Sequence, residues 1–503
     1  MNRNEHEAPK NSPLAAQLRA SIRAVKDAMP WKPQPEEEGL RGDQLDSFKD
    51  IVRRIESGET ISKLCGYAGT GKTFLLARIA QWAKRNRYNV TIAAPTHKAA
   101  GVIQQKLGNI PGVEVKTIHS LLGMKLEPDM ENDTGGHVVK SGESKNKVKD
   151  GLVICDEASM IGRVLKEEID NLHGVRWLFV GDLAQLPPVG EGVSELLDEP
   201  DSTLETVLRQ SHGSEILNLA TAIRGGDMSM EFEEGKDVFK LDTAEELFQA
   251  ALERFRSPEY QQDAAHARML VFKNDRRKAI NQRMRQLLIG QDDPYVPGEW
   301  LVMYAAFSPE KSRLAVLAEH AKQATFDRSK RWAKFYEYKK SLGNSITRLH
   351  VSEEVRITDA VLNSIDIEEW NFKVWRLTVE ARGGVFELPV PTEEEAKRIE
   401  AIKTEMADHA QQSRKRRDEY EVGCSQWEEE ERDRKGFWSV YFTLDEIFAQ
   451  VDYAYAMTVH KSQGSTFDHA FVDVPDLLSS GGMQQRILYT ACTRPAKTLT
   501  FYK

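Results

Sequence analysis

The sequence predicts an α/β protein built from two parallel-sheet lobes, and three observations carry that expectation. From residue 39 to about 224, short apolar runs alternate with amphipathic helical patterns, the signature of a parallel sheet covered by helices. One run leads directly into Gly66-Tyr67-Ala68-Gly69-Thr70-Gly71-Lys72-Thr73, which matches GxxxxGK[ST] at every fixed position. Strand-like alternation then returns near Arg268 (RMLVFKN) and at Ala470 (AFVDV), which predicts a second α/β lobe.

The elements follow in chain order. Residues 1–38 read as a tail: one short helical pattern over 14–29, then PWKPQPEEEG, whose prolines break any regular element. The first lobe is expected over 39–225, with strands at 61–65, 90–94, 152–155 and 177–180. Each apolar run ends where glycine or polar residues begin, and in open α/β sheets ligands bind at those carboxyl ends. Residues 124–150 break the rhythm with a polar stretch carrying a Gly-Gly pair and scattered valines, which predicts an inserted β-hairpin or mobile loop. The second lobe is expected over 226–307 and 441–503, interrupted by an insertion across 308–440. That insertion holds the strand-like runs VWRLTVEA (374–381) and GVFELPV (384–390). It also holds two charge-rich helical stretches, 314–340 and 393–434.

Composition narrows the function classes. At 503 residues the chain can form several domains, each with its own core. Apolar residues at 40% and charged residues at 29% suit an ordinary globular protein. No stretch approaches ~20 uninterrupted apolar residues, so no membrane-spanning helix is expected. The opening MNRNEHEAPKNSP lacks the apolar run of a secretion signal. Cys65, Cys155, Cys424 and Cys492 are far apart with no CxxC spacing, which argues against structural zinc and for a reducing, intracellular setting. The net charge is −9, whereas a protein that coats nucleic acid indiscriminately is basic throughout. Any nucleic-acid contact must therefore come from a local groove.

The glycine-rich motif has a definite chemistry. Glycines let the backbone wrap closely, so that loop N–H groups and the following helix N-terminus face phosphates. Residues Gly66 to Thr73 are thus the expected ATP cradle, with Lys72 reaching the β- and γ-phosphates and Thr73 offering its hydroxyl to Mg²⁺. The metal also needs a carboxylate at the end of a neighbouring strand. In LVICDE (152–157), Asp156 is expected to position the metal and Glu157 to polarise the attacking water. LFVGD (178–182) offers a rival acid in Asp182, but a hydrolase needs the second carboxylate that only the first run supplies.

Seven further segments occur in order: APTHKAA (94–100), TIHSLLG (117–123), DEASM (156–160), GDLAQLPPVG (181–190), LRQ (208–210), TVHKSQGSTFD (458–468) and YTACTRP (489–495). The series resembles the motif set of superfamily 1 helicases, in the RecD/Dda branch, and covers most of residues 39–503. The resemblance implies two RecA-like lobes that close on ATP, with a small β-barrel and helical extensions inserted in the second. It implies that Gln44 reads the adenine, that Gln185 couples the γ-phosphate to a DNA groove, and that Arg209 and Arg494 act as arginine fingers. Such a guanidinium contributes on the order of 10³–10⁵ in rate in related NTPases. Thr96, His97, Thr117 and His119 would face single-stranded DNA from the first lobe, and Thr458, His460 and Lys461 from the second. Movement from 5′ to 3′, action at single-strand/duplex junctions as a monomer, and company with replication or recombination proteins are further implications.

The sequence departs from that pattern twice. The 124–150 insert, where Dda-like enzymes carry a strand-separating pin, has no Phe, Tyr or Trp to stack on a base. The helical stretch at 314–340 is longer than the pattern needs, and its basic and aromatic residues read best as a solvated face with a core stripe. Two alternatives stay open: a DNA-stimulated translocase that does not unwind, and a P-loop module in which ATP only switches a binding surface. No carboxylate cluster suggests an attached nuclease.

Overall fold

The computed structural model describes residues 21 and 32–503, except 109, 129–136, 142–150, 189–193, 207–213, 233–236, 291–292, 323–333, 335, 342–346, 368–369 and 383. The helical pattern at 14–29, apart from residue 21, and part of that at 314–340 lie outside the described residues. No described helix is long and apolar enough to cross a membrane.

Helix Asp43–Ser57 opens the first lobe, burying Phe48, Ile51, Val52 and Ile55 and ending at Gly58 in the left-handed region. The strands that follow are β1 (Ile61–Gly66), β2 (Val90–Ala94) and β3 (Val113–Thr117). Next come the paired β4 (Met124–Pro128) and β5 (His137–Ser141), then β6 (Gly151–Cys155), β7 (Val175–Gly181) and β8 (Ser202–Leu204). The order β3-β2-β6-β7-β1-β8 is parallel throughout. Such a sheet is covered on both faces, which explains the nearly continuous apolar runs. Leu152, Ile154, Leu178 and Val180 pack on one side with Leu75, Ile79 and Phe48, while Val153, Cys155, Trp177 and Phe179 pack on the other with Ile118 and Leu121. Within the 124–150 insert, β4 and β5 pair antiparallel, while the Gly-Gly pair lies outside the described residues.

The second lobe uses β9 (Val238–Leu241) and β10 (Ala267–Val271) before the chain leaves it. A five-stranded antiparallel sheet follows, built from β11 (Trp300–Met303), β12 (Glu354–Ile367), β13 (Trp370–Ala381), β14 (Gly384–Pro391) and β15 (Val451–Tyr453), in the order β14-β13-β12-β11-β15. Then β16 (Ala456–Thr458), β17 (Phe467–Asp473) and β18 (Pro495–Tyr502) complete a parallel sheet ordered β16-β10-β17-β18-β9. The two expected α/β lobes are therefore present, with an antiparallel unit inserted in the second.

Three expectations need correction. The inserted sheet takes in 300–303 and 451–453, outside the expected 308–440, because only backbone pairing reveals that these short apolar runs join β12 and each other. The stretch 393–434 is not one helix. Helices Glu393–Arg417 and Ser425–Ile447 fold back on each other around Ala410, Trp438 and Phe442, with Arg417 paired to Glu431 at 2.6 Å. The latter helix also carries the chain past 440, where the second lobe was expected to resume. Finally, helix Glu215–Arg224, expected in the first lobe, belongs to the second. Its Ile216, Leu219, Ala220 and Ile223 share a core with Leu270, Val472, Leu488 and Phe501. An amphipathic pattern specifies a buried face but not which sheet that face covers.

Candidate nucleotide and nucleic-acid site

The glycine-rich loop leaves the carboxyl end of β1 and turns into helix Lys72–Arg85, whose N-cap Gly71 has φ 78°. A side chain at Gly71 would be strained by that φ, and its Cβ would clash with the Gln44 amide nitrogen. Gln44 is buried beneath the loop and donates to the Thr70 carbonyl at 2.9 Å and the Gly71 carbonyl at 3.4 Å. Lys72 folds over the loop, its Nζ donating to the Gly66 carbonyl at 2.6 Å and the Tyr67 carbonyl at 3.1 Å. The Thr70 hydroxyl donates to the Tyr67 carbonyl at 2.8 Å. Across the loop, the Arg224 guanidinium carbon lies 3.6 Å from the Tyr67 ring centroid. The ammonium thus sits among the loop's own carbonyls.

The carboxylates come from the end of β6. Burial, and then the neighbouring Glu157, push the Asp156 carboxyl above the ordinary carboxylate range, while Lys72 pulls it back. Glu157 has φ 54°, an uncommon conformation for a residue with a side chain. Its Oε2 and the Oε1 of Gln185 are buried with no hydrogen-bond partner among the described residues. Buried polar atoms are almost always satisfied, so two orphaned oxygens beside a buried acid fit a cation and ordered water. Asp182 is different. Its Oδ1 accepts from the Ala184 N–H at 3.0 Å and its Oδ2 from the Tyr489 hydroxyl at 2.8 Å, which engages both oxygens elsewhere.

One cleft of about 770 Å³ collects these groups. From the first lobe it is lined by Gln44, Tyr67, Ala68, Gly69, Gly71, Lys72, Thr73, Asp156, Glu157 and Gln185, and from the second by Gly464, Ser465, Thr466, Thr493 and Arg494. Gly66 and Thr70 support the loop from behind. Arg494 is buried and donates through Nε to the Thr490 carbonyl at 3.1 Å, with further bonds to the Ser465 carbonyl and the Thr493 hydroxyl at 3.2 Å each. Arg209 lies outside the described residues.

The candidate DNA-facing residues occupy the carboxyl ends of β2, β3 and β16. Thr96 and Thr117 cap helices His97–Leu107 and Ile118–Leu122, accepting from the N–H groups of Ala99 at 3.1 Å and Ser120 at 3.3 Å. Each hydroxyl keeps its proton to donate. Thr458 accepts from the Lys461 N–H at 3.4 Å. Burial lowers the pKa of both His119 and His460, keeping their rings neutral near pH 7. Lys461 holds its Nζ 3.1 Å from the Tyr304 ring centroid, and burial, then Arg277, bring it down to about 8. Tyr304 carries no motif signal and could not have been chosen from sequence.

His97 makes an unforeseen contact. Its ring stacks on His350 of the inserted unit at 3.4 Å between centroids and 11° between planes. Beside it, Lys98 pairs with Glu354 at 2.7 Å, so the inserted unit is fastened to the first lobe. Burial together with Arg382, Arg348 and His119 lowers His97 to about 4, and burial with His97 and the same arginines lowers His350 to about 3. The unfolded chain therefore takes up protons first as pH falls, and stability is lost from pH 6.5 down towards about 4. Over that window the thermal midpoint of the wild-type protein should fall more steeply than that of His350→Ala. Equal slopes would remove the stack as the cause.

The sequence matches the AAA domain family over residues 40–244 and the UvrD-like helicase C-terminal domain family over residues 453–502. It is 25% identical over 500 residues to an uncharacterised protein of Acanthamoeba polyphaga mimivirus, covering 91% of this chain and 98% of that one. It is 24% identical over 477 residues to the ATP-dependent DNA helicase dda of Enterobacteria phage T4, covering 90% of this chain and 96% of that one. A solved Pif1 helicase from Bacteroides, in complex with ADP-AlF3 and ssDNA, covers 91% of both chains at 15% identity and a TM-score of 0.44. The two matched domains lie in the order the motifs require, and the similarity to the dda helicase runs along nearly the whole length, so the chain resembles the superfamily 1 helicases of the RecD/Dda branch in both its motifs and its domain order.

Proposed function

We propose that the protein is an ATP-dependent DNA helicase that moves along single-stranded DNA from 5′ to 3′ and separates strands at single-strand/duplex junctions. The observation that carries this reading is the single cleft to which the first lobe contributes Lys72, Asp156 and Glu157 and the second contributes Arg494. A guanidinium on one lobe and a phosphate cradle on the other give ATP a reason to draw the lobes together, and hydrolysis a reason to release them.

In this reading Lys72 and the loop N–H groups hold the triphosphate, and Gln44 braces the loop while bordering the adenine. Thr73 and Asp156 would hold Mg²⁺, which neutralises charge on the transferring phosphate when bound. Glu157 takes the proton of the attacking water. Arg494, with Arg209, stabilises the equatorial charge of the transition state. Gln185 borders the phosphate end of the cleft and carries its state towards the DNA groove. There Thr96, His97, Thr117 and His119 on one lobe, and Thr458, His460 and Lys461 on the other, grip the strand without reading bases. Two grips whose spacing follows the nucleotide produce stepping. Opening each base-pair step costs about 1.4 kcal/mol of stacking, so the β4–β5 hairpin need only act as a wedge. Monomeric action and contacts with replication or recombination proteins belong to the same proposal.

The test compares 5′-tailed, 3′-tailed and blunt duplexes in paired ATPase and unwinding assays. Turnover stimulated by single-stranded DNA, with unwinding of the 5′-tailed substrate alone, is expected. Unwinding of only the 3′-tailed substrate overturns the direction. Stimulated turnover without unwinding reduces the protein to a translocase, and no stimulation at all leaves an ATP-switched binding module.

A further inference from the structure

The lobes are joined by more than the residues that face ATP. Helix Gln484–Cys492 of the second lobe lies against the 181–188 loop of the first and fixes it through backbone groups. Arg486 donates to the Leu183 carbonyl and, at 3.0 Å, to that of Gln185. The Thr490 hydroxyl accepts from the Leu186 N–H at 3.2 Å, and Gln463 donates to the Leu186 carbonyl at 3.0 Å. Leu186, Ala184 and Ala68, all from the first lobe, pack against the core of the second, with Leu186 fully buried there.

Tyr489 sits at the centre of the seam, 2% exposed. Its hydroxyl donates to Asp182 Oδ2 at 2.8 Å and accepts from the Ala68 N–H of the glycine-rich loop at 3.1 Å. The other Asp182 oxygen holds the Ala184 N–H, the turn that leads to Gln185. A continuous path of hydrogen bonds therefore runs from the phosphate loop, through a second-lobe phenol, to the loop that presents Gln185 to the cleft. We propose that Tyr489 is a positioning residue for ATP hydrolysis. Its hydroxyl holds the phosphate loop and the Gln185 loop in register only while the second lobe is docked, so that turnover is coupled to lobe closure.

Removing the hydroxyl alone would leave two polar groups without it. The ring is held by apolar neighbours and would stay in place without its oxygen. The Ala68 N–H would lose its acceptor, and Asp182, 0% exposed, would lose its shortest side-chain bond at a position where water cannot easily take the place of the hydroxyl. Within the first lobe, Asp182 Oδ2 has only the long contact from Gln185 Nε2 at 3.5 Å, so the short bond that ties it to the Ala68 N–H comes from the second lobe. That makes the register of the phosphate loop a property of the docked pair.

This inference rests on the motor reading above, and the test keeps the two apart. Steady-state ATPase is measured on the full chain against ATP concentration, with and without single-stranded DNA, for wild type, Tyr489→Phe and Asp182→Asn. Wild type without DNA-stimulated turnover overturns the motor reading, whatever the variants do. With stimulation present, Tyr489→Phe should lose about 10-fold or more in kcat while KM for ATP moves by no more than about 3-fold. Asp182→Asn keeps shape and an acceptor but not the charge, and should show a smaller fall of the same kind. Wild-type kcat in Tyr489→Phe overturns the proposal, as does a loss confined to KM or to thermal stability. Should Tyr489→Phe not fold, wild-type kcat in Asp182→Asn overturns it alone.

Discussion

Arg494→Ala is expected to lower DNA-stimulated ATP turnover by about 10³–10⁵-fold, with a far smaller change in nucleotide affinity. The asymmetry follows from where the binding groups sit. Lys72, the loop N–H groups and the Gln44 brace all belong to the first lobe and survive the substitution intact. Arg494 reaches the cleft from the second lobe and is aimed by carbonyls of Thr490 and Ser465, so its charge arrives in a prescribed direction. A charge placed in advance, in a site shielded from water, acts most strongly where charge develops, which is in the transition state. Arg494→Lys sharpens the test, because it keeps the charge but loses the planar donor set. It should recover little. Turnover near wild type in the alanine variant, measured beside binding of a fluorescent ATP analogue, would reduce Arg494 to a structural anchor of the 458–468 loop.

Much of this site was legible because its chemistry is local. Asp156 and Glu157 follow β6, which is apolar on both faces and announces itself as an unbroken run, whereas β1 carries Ser62 and Lys63, and its loop was legible from the GxxxxGK[ST] spacing itself. Position in the ordered motif series pointed to Arg494 and Gln185, and both line the cleft that holds Lys72. What was not legible depends on distant pairing. Tyr489 and Asp182 are 307 residues apart, and neither residue type alone suggests a seam. His350 and Tyr304 lie in segments without a motif, and only the fold brings them to His97 and Lys461. Helix Glu215–Arg224 has a clear apolar stripe, yet which lobe it covers is settled by the shape of the cavity it fills. The ends of the inserted sheet were missed for the same reason, since β11 and β15 are too short to declare their partners.

Glu157→Gln should bind ATP and hydrolyse it about 10²–10⁴-fold more slowly, the contribution of a positioned general base. The backbone already marks the residue. Holding a side-chain-bearing residue at φ 54° costs about 1–3 kcal/mol, a strain retained only where the surroundings impose it. That conformation turns the carboxylate into the cleft, where Oε2 is buried without a partner among the described residues. Glutamine keeps the length, the φ and one acceptor oxygen, but its amide cannot take a proton from water. Asp156→Asn provides the contrast, because loss of a metal-facing charge should weaken Mg²⁺-dependent nucleotide binding itself. Single-turnover hydrolysis beside equilibrium ATP binding separates the two outcomes. Normal turnover would require another base, and Asp182 is a poor candidate: its two oxygens are already committed to Tyr489 and Ala184.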